Sequence, residues 1–303
     1  MSGPAPTCRP ARPNEREERL ITGLTVAADT VSITLVLALA AFGLAIIFGL
    51  IGVINLGHGA MLTLGAYLTW ATTTAGVPFL LAVVLAALGV GLIGLVLEHL
   101  VIRHFYDRPF ETLLLTWGFF LISTEVIKIV FGTDFRNVTN PLPLAFSLGP
   151  VELPAYRTAV AAFSLALIAG AAFVLYRTTL GIKIRALIQN REMAALLGLD
   201  IARTYKLVFA SGALIAGLAG ALISPMLSVD PYIGNTYLVR SFFVVTVGGL
   251  GELLGGTLIG AFFIGGAETI IALASSQAFA QTVVFALAIV VLRFRPQGVL
   301  GAR

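Results

Sequence analysis

The chain predicts an all-α, polytopic membrane helix bundle of about eight transmembrane helices at ~20 residues per span, with two glycine-broken or re-entrant segments. Three observations carry that prediction. Apolar residues make up 58% of the 303 and charged residues only 11%, against about 25% charged in a soluble domain. No Asp, Glu, Lys or Arg occurs over 30–97, a stretch of 68 residues that holds about three spans. Further charge-free runs cover 158–176, 207–229, 253–267 and 269–292. Their unalternating Leu/Ala/Val/Gly composition selects helices over barrel strands, which would switch polar and apolar every other residue for ~10 residues. A water-soluble globule could not hide this much apolar surface, and disorder is excluded by the same excess.

Residues 1–28, with four prolines and four arginines, read as a polar N-terminal tail without the apolar core of a cleavable signal. Helices are expected at 31–52, 61–77, 78–102, 112–131, 158–176, 206–229, 255–274 and 278–293, with a shorter apolar piece at 241–247. Between them lie a short loop (103–111), a Pro-rich loop (132–157) and a long basic loop (177–206). Residues 29–303 form a single membrane domain with nothing soluble inserted. Cys8 is the lone cysteine, which excludes a disulfide framework or a Cys-based metal cluster.

Charge sets the orientation. Loop 177–206 carries Arg177, Lys183, Arg185, Arg191, Arg203 and Lys206, loop 103–111 adds Arg103 and Arg108, and the C-terminal tail adds Arg293, Arg295 and Arg303. Lys/Arg excess marks the cytoplasmic side, so these segments are expected inside and 132–157 outside. Three ordinary crossings before Arg103 then leave two alternatives. The tail is external, or the segment around residue 54 re-enters.

Two glycine-rich interruptions stand between apolar runs: GLIGVINLGHG over 49–59 and VGGLGELLGG over 247–256. Each glycine weakens a helix by ~1 kcal/mol. Polar groups such as Asn55, His58 and Glu252 are costly at membrane depth unless buried in protein or facing water. Glycine-interrupted segments in both halves of a transporter point to a central translocation site; close helix packing through small residues is the plainer reading. In the basic loop, NREMAALLGLD (190–200) places Ala194, Ala195 and Gly198 on a narrow face open to close approach. Glu125 and Lys128, one turn apart, read as a simple helix pair.

These segments resemble a known family. FGLIGVINLGHGAMLTLGAY, GIKIRALIQNREMAALLGLD, VTVGGLGELLGGTLIGAFFIGGAE and the ending RPQGVLG are similar, in order from about 48 to 301, to the branched-chain amino-acid permeases of binding-protein-dependent ABC importers and their urea and short-amide relatives. The resemblance implies a permease domain over 29–303 in a bacterial plasma membrane, with 177–206 as its cytoplasmic coupling loop. It implies a pathway near Asn55, Gly57, His58, Gly59, Trp117, Gly248, Gly249, Gly251, Glu252 and Glu268. Coupling to an ATPase would use Arg191, Glu192, Ala194, Ala195, Gly198 and Leu199. The implied partners are a second permease subunit, two ABC ATPase subunits and an extracytoplasmic solute-binding protein; no cofactor, metal or nucleic acid is expected. Ala60 stands where many relatives carry Glu. Segments 111–118 and 233–249 lean toward the urea-type branch, yet Arg240 replaces an acidic residue there.

No GxxxxGK[ST] phosphate loop occurs, so energy is expected from separate ATPase chains; HExxH and GxSxG are absent as well. Two other classes compete. An intramembrane enzyme would use Glu252, His58 or Glu268, and an ion-coupled secondary transporter would use Glu268.

Overall fold

The computed structural model describes residues 15–148, 151–249 and 253–300. Eleven α-helices follow in order among them: α1 (Glu15–Ile51), α2 (His58–Thr74), α3 (Phe79–Leu100), α4 (Pro109–Phe131), α5 (Ala155–Arg177), α6 (Thr179–Gln189), α7 (Arg191–Leu196), α8 (Ile201–Ile223), α9 (Ile233–Gly248), α10 (Gly255–Ala274) and α11 (Gln277–Phe294). A hairpin of β1 (Ala145–Leu148) and β2 (Val151–Pro154), with Ala145 opposite Pro154, occupies part of the Pro-rich connection. Seven of the described helices are long and apolar enough to cross a membrane; α2 and α9, with 17 and 16 residues, are shorter. The all-helical membrane bundle is as expected.

Local chemistry explains where the elements differ from expectation. Helix α1 starts by Glu15, so the second half of the expected polar tail is helix continuous with the first span. The basic loop 177–206 is itself helical, divided at three side-chain caps. Thr178 Oγ1 accepts from Gly181 N, Asn190 Oδ1 from Met193 N, and Asp200 Oδ1 from Arg203 N, each satisfying a donor the helix start leaves free. Helix α9 extends well beyond 241–247, back to Ile233, with Arg240 paired to Glu268 and Asn235 and Thr236 exposed. The expected 206–229 helix stops at Ile223; beyond it Val229 pairs with Arg136 across an isolated bridge.

Small residues build the core. Helix α8 runs through the middle, packed by α1, α2 and α3, and Gly212, Ala213, Ala216, Gly217, Ala219 and Gly220 are all buried. Gly217 meets Gly65 of α2 backbone to backbone, the close approach by which apolar helices associate where lipid offers no hydrophobic drive.

The contacts define two ends. Asp29 pairs with Arg157 at 3.2 Å, and Trp70 meets Phe131 edge-on near Arg136, so the start of α1, the end of α2 and 132–157 share one end. The opposite, basic end gathers Ile51, Tyr106, Leu187, Ala194 and Tyr205 into one cluster.

Candidate translocation and coupling sites

The first glycine break is an unwound stretch within a crossing, because α2 goes on from it to the end of the bundle where α1 starts, as the external-tail alternative requires. Gly52, at φ +78°, ends α1; the chain then turns back into the bundle, and α2 begins inside it. His58 Nε2 lies 2.8 Å from the Ala40 carbonyl, 11 residues before the end of α1, or about 16 Å at 1.5 Å per residue. On the other side Gly57 abuts Thr116 and Phe119 in the middle of α4. Glycine is required at 59: an added Cβ would come within 2.8 Å of the Gly234 carbonyl and 3.1 Å of Leu238, so α2 and α9 could not close. Few backbone bonds hold the segment among the described residues. They are Gly52 N to the Phe48 carbonyl (2.8 Å), Leu56 N to Thr116 Oγ1 (3.1 Å), His58 N to the Asn55 carbonyl (3.3 Å) and Met61 N to the Gly57 carbonyl (3.1 Å). Asn55 is 0% exposed, and neither side-chain polar atom finds a partner among the described residues. Ile54 faces a small apolar pocket lined by Leu44, Phe48, Phe242, Val245 and Thr246.

The structure therefore brings Asn55, Gly57, His58 and Gly59 together with α4 and α9. Trp117 stands one ring away, 38% exposed and stacked on Phe120 at 5.2 Å; Phe120 in turn touches Gly59. Thr116, which holds the break through Leu56, is a residue the sequence reading missed.

The second break is held differently. Gly248 packs on the Gly256 backbone, and Gly249 leaves α9 at φ +126°. Gly251 and Glu252 lie outside the described residues. The C-terminal tail docks here: Val299 N donates to the Val247 carbonyl at 2.8 Å, and Leu300 N to the Gly248 carbonyl at 3.1 Å. These are carbonyls that a helix end leaves unpaired. Leu253 meanwhile rests on Gly49 of α1, so both breaks leave the bundle side by side at the basic end.

Glu268 sits near the other end of α10, away from both breaks. Its carboxylate is nearly buried, with Oε1 2.8 Å from Arg240 Nη2 and 2.6 Å from Gln277 Nε2. Unpaired charges are costly within a bilayer, and Arg240, unexplained by the sequence, supplies the neutralising partner across α9 and α10. Among the described residues no group of His, Cys, Asp and Glu could hold a metal ion.

At the basic end, the expected open face on 190–200 is corrected by the geometry. Ala194 is buried against Leu187 and Tyr205, with Leu199 packed beside it. Gly198 does not share a helix face with Ala194, because α7 ends at Leu196 and Gly198 is its terminator at φ +82°. Gly198 N bonds the Ala195 carbonyl at 2.9 Å and Leu199 N the Ala194 carbonyl at 3.1 Å, the paired bonds of a Schellman turn. The free face instead carries Ala195, Met193, Leu196 (81% exposed) and Leu197 (74%). Arg191 and Glu192 are exposed at its start, and Arg191 pairs with Asp107 at 2.9 Å.

A bundle of membrane-crossing helices, entered by one unwound segment and carrying an amphipathic helix on its basic end, defines a multi-pass membrane protein. The chain belongs to the branched-chain amino acid transport system / permease component family, the permease family of ABC importers, whose sequence profile matches residues 26–292. It is 26% identical to the high-affinity branched-chain amino acid transport system permease protein BraD of Pseudomonas aeruginosa, over 94% of this chain and 95% of BraD. It is 29% identical to the LivH permease protein of the corresponding Escherichia coli system, over 87% and 91%. The ribose import permease protein RbsC of Bacillus subtilis is 28% identical over 84% of this chain and 79% of RbsC.

Proposed function

We propose that this chain is the channel-forming subunit of an ABC importer for branched-chain or other hydrophobic amino acids in the bacterial inner membrane. ATP is hydrolysed on two partner ATPase subunits, a second permease chain completes the channel, and an extracytoplasmic binding protein delivers the solute. Residues 29–303 act as one permease domain. The Lys/Arg-rich end faces the cytoplasm, and the hairpin and the start of α1 face outward.

The observation that carries the coupling part is the free face of α7. Met193, Leu196 and Leu197 are large, apolar and exposed at the charged end of the bundle, while the opposite face is fixed by Ala194. Exposed apolar clusters rimmed by charge mark sites of protein or membrane contact. The amino-acid assignment follows the branched-chain amino acid transport systems to which BraD and LivH belong. The Asn55 region, where α1, α2, α4 and α9 meet, is proposed to lie on the pathway, with Trp117 and the second break beside it. Glu268 is neutralised by Arg240, which argues against a coupling carboxylate of an ion-driven carrier.

Co-purification and uptake test the reading. The chain should bring down an ATPase pair and a second permease, and ATP-driven uptake should be competed by leucine, isoleucine and valine. Competition by urea and acetamide, toward which 111–118 and 233–249 lean, would move the substrate to that branch. Uptake driven by an ion gradient without ATP would overturn the reading.

A further inference from the structure

A joint of buried and half-buried side chains ties α7 to three helices at once. Glu98, on the last turns of α3, is 2% exposed and accepts from Tyr106 Oη at 2.8 Å. A carboxylate this near a helix end could remain solvated; sealing it away is costly unless it is hydrogen-bonded. Burial and the Glu98 carboxylate push the Tyr106 phenol well above its usual range, so the hydroxyl stays a donor. The Tyr106 ring meets that of Tyr205, near the start of α8, edge-on at 5.0 Å. Arg191 lies over the Tyr205 ring at 5.5 Å. Ile51, the residue after which the first break departs, packs into the same cluster as Ala194 and Tyr205. The Arg191–Asp107 pair is exposed, and such pairs hold little; the buried contacts make the joint stiff.

We propose that Tyr106, held by Glu98, is a positioning residue that transmits displacement of α7 through Tyr205 and Ile51 to the first glycine break. The proposal rests on the reading of α7 as the ATPase docking segment.

The test uses the assembled complex in proteoliposomes. Tyr106→Phe removes one hydroxyl and keeps the ring. Basal ATP hydrolysis should stay at the parent's level while solute moved per ATP falls about tenfold, as expected for losing one hydrogen bond to a charged group. Glu98→Gln, which keeps an acceptor, should retain coupling; Glu98→Ala should match Tyr106→Phe, and the double variant should be no worse than either, because the two act as one unit. If Tyr106→Phe does not assemble, Glu98→Ala decides alone. Parental coupling in Tyr106→Phe, an equal loss of hydrolysis and uptake, or failure of both variants to assemble would overturn the proposal. Leu196→Asp, on the free face, separates it from the docking reading. Intact ATPase binding and uptake there would sink the docking reading, whereas release of the ATPase by Leu196→Asp with normal transport by Tyr106→Phe would sink only the transmission.

Discussion

The two glycine breaks look alike in sequence and are held in opposite ways. The second is stapled: Val299 and Leu300 pair the carbonyls that end α9, and Gly298 packs on Gly249. The first is left thinly bonded, with an unwound chain, a buried asparagine without a partner among the described residues, and side-chain tethers from Thr116 and His58. Low local stability belongs to segments that move, high local stability to those that frame them. The difference teaches that the described flanks of the second break, 247–249 and 253–256, are framework and that the first break is the less restrained element, rooted at Ile51 where the α7 joint reaches it.

Substitutions can break that division. The largest effect is expected at the framework's buried ion pair. Arg240→Leu strands the Glu268 carboxylate and should cost about 3–5 kcal/mol, read as loss of monodisperse protein after heating in detergent; Arg240→Leu with Glu268→Leu should recover most of it. Next comes Gly298→Ala. Its φ of +81° and a Cβ 2.5 Å from Gly249 Cα predict a loss of about 1–3 kcal/mol, with the tail becoming protease-sensitive. The smallest stability effect is expected in the first break. Asn55→Leu removes a buried amide without a partner among the described residues and should leave thermal stability equal or higher, while uptake by the complex falls. A variant at Asn55 that destabilises as much as Gly298→Ala would erase the comparison.

Much of the fold was legible because lipid imposes a blunt rule: long charge-free runs are spans. The first break was legible from glycines beside Asn55 and His58, and the second from the glycines at 248, 249, 255 and 256. The helices within 177–206 were written in Thr178, Asn190 and Asp200, three capping residues that a charge count passes over. Arg240 was visible as an oddity, but its partner lies 28 residues on in another helix, and single-sequence periodicity carries no signal for such a pair. Gly198 was misplaced because a glycine four residues after Ala194 fits a helix face and a helix terminator equally well; only φ distinguishes them. The joint at Tyr106 was hidden for a similar reason, since Glu98, Tyr106 and Tyr205 come from three separate segments.

Thiol reactivity at Ile54 tests the central claim most directly. In a Cys8→Ser background, Ile54→Cys reports on the first break and Val247→Cys on the second, each in the assembled complex with and without trapped ATP. The modification rate at Ile54→Cys should change several-fold with nucleotide while Val247→Cys stays constant. Equal change at both positions, or a nucleotide response at Val247→Cys alone, would contradict a movable first break set in a fixed second one.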